Sequence, residues 1–287
     1  MREFIRTVFS QNNSEMAIGL FDVWHFLYLF IILGGTIFLT LLYKNKSEQA
    51  KAKLIRLFAY LTIGLYVADF FIMPLSDSYS GISVYKLPFN ICTIMAVLVP
   101  FVEFNPKFSK IKKPIVTLSV TSSLMWMCYP GSALGGQPPF CYLIFQTFMY
   151  HGFLFAWGFL NLSVGKVVLD FKKMWQELVG ILMILVWADF GNTVYGRENN
   201  WFFIETSIFP FLPDAIMPLA VVFSVFGSCF LVHCIYYAVR AVSQKRTTRK
   251  IKSGPLNAEL YFQARRKSPT DLGRLCAVLH RKYIPAT

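Results

Sequence analysis

The sequence predicts an all-α, polytopic membrane protein of about seven transmembrane helices, and three observations predict it. Of 287 residues, 55% are hydrophobic and only 15% charged, where an ordinary soluble domain carries about 25% charged residues. Apolar runs recur along the chain at lengths of about 20 residues, enough for a helix to cross a bilayer. The lysines and arginines alternate between rich and poor connections. Together these features exclude a soluble enzyme and a disordered chain, because a sequence this apolar cannot stay dispersed in water.

Residues 1–23 are mixed and polar. They hold neither a continuous apolar core nor a small-residue cleavage site, and read as an extracytoplasmic N-terminal segment, not a cleavable signal. The membrane domain is expected over 24–244, with spans at 24–43, 57–75, 87–104, 114–130, 139–165, 174–195 and 215–242. Trp24, Tyr43, Trp175, Tyr195 and Tyr237 stand near their ends, as interfacial aromatic belts require. The connections after the first, third and fifth spans are basic (Lys44 to Arg56, Lys107 to Lys113, Lys166 to Lys173). Those between carry Lys86, no basic residue, and Arg197. By the positive-inside rule the N-terminus lies outside and the C-terminus in the cytoplasm.

Residues 245–287 form a basic cytoplasmic tail with 11 of the 28 Lys and Arg but only Glu259 and Asp271 as acids, so it carries most of the formal charge of +13. A charge gathered in the tail and in membrane-flanking loops fits anionic lipid headgroups and does not imply nucleic acid. The stretch LNAELYFQ is close to a protease-recognition linker. The tail therefore reads either as an appended segment or as a native juxtamembrane one. The six cysteines fall singly, without metal-ligand spacing, and no metal or cofactor is expected. Cys128 and Cys141, which flank a short loop, are the one conceivable disulfide.

Polar side chains inside hydrocarbon are costly, so the few that occur mid-span are candidates for function. With the orientation above, Asp69, Asn90, Cys92, Asp189 and Asn192 fall in the outer half of the bilayer and His151 near its midplane. Asp189 and Asn192, three residues apart, are expected on one inward face. This convergence from several helices suggests a polar cavity open to the outer leaflet. Within it Cys92 has the chemistry of a nucleophile and His151 that of its base; Asp69 or Asp189 could orient the imidazole, and Asn90 could hold an oxyanion. His25 is expected at the wet interface. Cys229 and His233 share a face of the last helix, without a carboxylate, and read as packing residues. The loop PGSALGGQPPF reads as a tight turn or a lid.

The motifs YKLPFNIC, MYHGFLF and WADFGNTVYG, with YPGSALGGQPP between the first two, resemble the YwaF-like bacterial integral membrane proteins and the related transmembrane-protein-164 acyltransferases. The resemblance covers roughly residues 15–245. It implies a polytopic fold in which a cysteine, here Cys92, and a histidine, here His151, move an acyl chain on a phospholipid or lysophospholipid. It also implies a bacterial plasma membrane as the location.

Two functions are therefore expected in competition. The first is an acyltransferase or lipid hydrolase working through an acyl-cysteine intermediate. The second is a proton- or cation-coupled transporter, or a small-molecule-binding membrane protein, using Asp69, His151 and Asp189. A retinal receptor is excluded because the last span lacks a lysine for a Schiff base. Oligomeric state is not legible.

Overall fold

The computed structural model describes residues 18–72, 84–130, 138–207 and 212–253, and among these the chain is helical, with no strand. Seven α-helices follow in order: α1 (Val23–Tyr43), α2 (Glu48–Ile72), α3 (Ile91–Phe104), α4 (Lys112–Cys128), α5 (Tyr142–Ser163), α6 (Trp175–Tyr195) and α7 (Met217–Ser253). Each overlaps one expected span. The chain divides into two compact units, Met1–Val232 and His233–Thr287. The basic tail beyond residue 253 and the loop over 131–137 lie outside the described residues.

Five helices, α1, α2, α5, α6 and α7, are long and apolar enough to cross a membrane. The other two fall short of the sequence expectation. At about 1.5 Å per residue the 14 residues of α3 span only about 21 Å, against about 30 Å of hydrocarbon. The physical reason in α4 is its surroundings. Every residue from Pro114 to Ser123 is buried, including Thr117, Ser119, Thr121, Ser122 and Ser123. A helix enclosed by other helices meets protein instead of lipid, and has no need of an apolar surface.

The centre of the bundle is α5, which packs against α1, α2, α3 and α4. Of the five long apolar helices α5 is the most deeply buried. Two glycines make the close approaches possible. A Cβ at Gly158 would lie 2.7 Å from Val120 Cγ2 and 3.1 Å from the Val116 carbonyl oxygen, both on α4. A Cβ at Gly152 would lie 2.9 Å from two carbons of Ile32 on α1.

The start of α1 is fastened by two local devices. Asp22 caps the helix, accepting from the His25 backbone N–H at 2.8 Å, which satisfies one of the orphan donors of a first turn. His25 is fully buried, not at a wet interface as its sequence position suggests. Its Nε2 donates to the Met127 carbonyl at 2.7 Å, and its Nδ1 accepts from the Phe21 N–H at 3.0 Å. The ring thus joins α1 to the end of α4. Cys128 and Cys141 are unbridged thiols.

Gly158→Ala is expected to force α4 off α5 and to destabilise the bundle by about 1–3 kcal/mol, the usual cost of overpacking. Gly64→Ala on α2, where a Cβ meets nothing within 4 Å, is expected to be neutral or stabilising. Thermal unfolding of both variants in detergent checks the contrast.

Candidate functional site

The antiparallel run of the helices brings the C-terminal ends of α2 and α4 to the same end of the bundle as the N-terminal ends of α3 and α5. Asp69, near the end of α2, is 1% exposed. Its Oδ2 lies 2.5 Å from Lys86 Nζ, and its Oδ1 accepts from the Tyr142 hydroxyl at 2.9 Å. Tyr66, one turn earlier on α2, donates to the Lys86 carbonyl at 2.8 Å. Both the charge and the backbone of the segment entering α3 are therefore held against α2.

That segment delivers Cys92 into the first turn of α3, where it is 7% exposed. Tyr150, buried on α5, donates to the Cys92 carbonyl at 2.7 Å. The Ser122 hydroxyl of α4 stands beside the Cys92 sulfur, close enough to act on it. The next residue on α5 is His151, also buried. Its Nδ1 lies 2.8 Å from the Thr147 carbonyl oxygen. A carbonyl can only accept, so Nδ1 carries the proton of the neutral ring and Nε2 keeps its lone pair. Trp126 stacks on the imidazole, with centroids 3.8 Å apart and planes within 8°, and Tyr150 meets its edge at 4.8 Å.

Cys92, Ser122, Trp126, Tyr150 and His151 thus gather where α3, α4 and α5 meet. No hydrogen bond joins the thiol to the imidazole among the described residues; the two are linked through Tyr150 and through one turn of α4. The group that orients His151 is the Thr147 carbonyl. Asp69 does not fill that role, because its two oxygens are engaged by Tyr142 and Lys86.

The remaining candidates fall elsewhere. Asp189 is exposed on the outer face of α6, beside exposed Val186, Trp187 and Phe190, and faces away from the bundle. Asn192 is fully buried, so the inward face of α6 begins between these two residues. Its Oδ1 accepts from the Trp201 N–H at 2.8 Å and its Nδ2 donates to the Trp201 carbonyl at 3.3 Å. Asn90 Oδ1 accepts from the Phe202 N–H at 2.9 Å. Both asparagines therefore anchor a loop in which Asn200, Phe202 and Phe203 have positive φ, a conformation that non-glycine residues adopt only when held. Cys229 lies fully buried with Thr121 Oγ1 at 3.6 Å, and a carboxylate, Glu177, is close enough to act on it. Among the described residues no group of three or more His, Cys, Asp or Glu is arranged to hold a metal.

Sequence reasoning missed Lys86, Tyr142, Tyr150, Ser122 and Trp126 as site residues. Lys86 left a signal, being the one basic residue in the connection between α2 and α3. The others are common residue types in apolar surroundings and left none.

A model of the TMEM164 family matches residues 20–245, which take in the site and α1 to α6 entire. No curated protein and no solved structure matches the chain.

Removing Lys86 leaves the Asp69 carboxylate buried without its counter-charge, so Lys86→Met is expected to cost about 3–5 kcal/mol. Asp69→Asn combined with Lys86→Met removes both charges and is expected to recover more than half of that loss. Unfolding free energies of the single and double variants in lipid–detergent micelles check the coupling.

Proposed function

The chain belongs to the TMEM164 family, and on that premise we propose that it is an intramembrane lipid acyltransferase, becoming a lipid hydrolase when water is the acceptor, with Cys92 as nucleophile and His151 as its base. The observation that carries this reading is the commitment of His151 Nδ1 to the Thr147 carbonyl, which leaves Nε2 as a base in the junction that holds the thiol. Cys92 also sits in the first turn of α3, whose free amides favour developing negative charge.

The chemistry balances with these two residues. His151 Nε2 takes the thiol proton, directly or through one water, as the sulfur attacks the ester carbonyl of a phospholipid. The tetrahedral adduct collapses, the C–O bond breaks, and the departing glycerol hydroxyl of the lysophospholipid receives the proton from His151. The acyl chain is then a thioester on Cys92. In the second half, His151 takes the proton of an acceptor hydroxyl, on another lysophospholipid or on water, which attacks the thioester and returns the thiol. Five helices able to cross a membrane suit a substrate whose tails stay in hydrocarbon while its ester reaches the junction. With the N-terminus outside, the site faces the outer leaflet of what the sequence motifs suggest is a bacterial plasma membrane.

A transporter using Asp69, His151 and Asp189 as a relay is the weaker reading. Asp69 is neutralised by Lys86 and Asp189 faces away from the bundle, so a relay through His151 lacks both of its carboxylates.

In vesicles holding a labelled phospholipid and a lysophospholipid, wild-type protein is expected to exchange or release acyl chains. Cys92→Ala and His151→Ala are each expected to reduce the rate by about 10³-fold or more. Residues that act as a unit are not additive, so the double variant should be no slower than the worse single. Mass spectrometry of the lipids reads the result. An inert wild type, or full activity in Cys92→Ala, overturns the reading.

A further inference from the structure

The serines of α4 behave unlike the other hydroxyls of the bundle. A serine or threonine in a helix commonly satisfies itself by donating to the carbonyl four residues earlier. Here Thr36, Thr62, Thr117 and Thr147 all do so, at 2.7, 2.8, 3.2 and 2.6 Å. Ser119, Ser122 and Ser123 do not. They are 0%, 3% and 0% exposed; the hydroxyl oxygens of Ser119 and Ser123 make no hydrogen bond among the described residues, and the Ser122 hydroxyl meets the Cys92 sulfur. A buried hydroxyl turned away from its own helix and left unbonded costs free energy unless something absent from the protein itself takes the bond.

The three share a direction. At about 100° per residue, Ser119, Ser122, Ser123 and Trp126 fall within one stripe of α4 about 100° wide. The neighbouring faces are already taken. Val116 and Val120 meet Gly158 of α5, Leu118 lies against Gly180 of α6, and Thr121 meets Cys229 of α7. The serine stripe is the part of α4 that reaches Cys92 at Ser122 and His151 at Trp126.

We propose that Ser122 donates its hydroxyl hydrogen bond to the carbonyl oxygen of the ester attacked by Cys92, and that Ser119 and Ser123 continue the polar strip that receives the ester. The proposal rests on the acyl-cysteine reading. Its geometry follows from bonding. Once sulfur is joined to the carbonyl carbon, the oxygen on that carbon lies within about 3 Å of the sulfur, so a hydroxyl standing beside the sulfur can reach it. The oxygen gains negative charge as the tetrahedral adduct forms, and a donor fixed in place binds that charge more tightly than it binds the ground-state ester. Asn90, the donor expected from sequence, has its carboxamide oxygen bound to the Phe202 amide and anchors a loop.

The test uses the full chain in phospholipid vesicles, with an initial-rate assay, mass spectrometry of the Cys92 peptide and a thermal unfolding midpoint for each variant. Ser122→Ala is expected to lower kcat about 10²- to 10³-fold, as loss of one oxyanion donor does, with KM within about twofold. Ser122→Thr, which keeps the hydroxyl, is expected to restore most of the rate. Ser119→Ala and Ser123→Ala remove unbonded buried hydroxyls, so each is expected to unfold at or above the wild-type midpoint while turning over more slowly. A Ser122→Ala protein that keeps kcat within threefold of wild type overturns the proposal, as does a loss that appears only with a lowered unfolding midpoint and is not restored by threonine. In either case an acyl group on wild-type Cys92 preserves the acyl-cysteine reading. If no acyl group reaches wild-type Cys92 during turnover, that reading fails and the proposal fails with it.

Discussion

A carboxylate inside an apolar bundle must be neutralised, and the way Asp69 is neutralised sets the position of the site. Desolvating a single charge costs several kcal/mol even after relaxation. The protein offsets that cost by drawing Lys86 and the Tyr142 hydroxyl onto the two oxygens. Lys86 belongs to the segment that leads into α3, and Tyr142 opens α5, so one ion pair fixes three elements at one end of the bundle. The Tyr66 bond to the Lys86 carbonyl makes the attachment one of backbone as well as charge. Cys92 follows six residues later, and its place relative to α5 is inherited from this clamp and from the Tyr150 bond to its carbonyl.

Around that clamp the polar and apolar surfaces are divided in an order inverse to a soluble protein. The exposed positions of α1 and α6 are mostly large apolar side chains, Phe, Ile, Leu, Val, Met and Trp, which suit lipid, while the most enclosed stretch, on α4, carries serines and threonines. Without water as a competitor, helices in lipid associate through close packing and interhelical polar contacts. Gly152 and Gly158 supply the first on α5, and Tyr150 and His25 supply the second. The same enclosure that permits serines on α4 places them beside the thiol. A second ion pair, Lys112 to Glu103 at 2.7 Å, fastens the opposite end of α3 to α4, with Trp157 Nε1 donating to the same carboxylate oxygen at 3.2 Å.

Much of the helical order was legible because length and apolarity are one-dimensional properties. All seven expected spans overlap helices, five of them long and apolar enough to cross a membrane, and Asp69 and Cys92 lie toward one end of the bundle as their positions along those helices imply. Facing was not legible. In α6 the outward Val186, Trp187 and Phe190 are as apolar as the inward Ile181, Ile184 and Ala188, so no periodicity told that Asp189 points out while Asn192 points in. The asparagines misled for a related reason. A carboxamide suits an oxyanion as well as a loop amide, and only the fold shows that Asn90 and Asn192 hold the turn containing Asn200, Phe202 and Phe203. Enclosure of α4 was hidden too, since 114–130 reads as a span like the other six and not as a core helix.

The most direct test of the account is the covalent state of Cys92 during turnover. Protein in phospholipid vesicles, quenched in acid within milliseconds to seconds and measured intact and after digestion, is expected to carry one acyl chain on Cys92, removable by neutral hydroxylamine as a thioester must be. With Cys92→Ser, any acyl group retained there would be an oxyester resistant to that treatment. Turnover with no acyl chain on Cys92 at any time, or with the chain on another residue, would contradict the account.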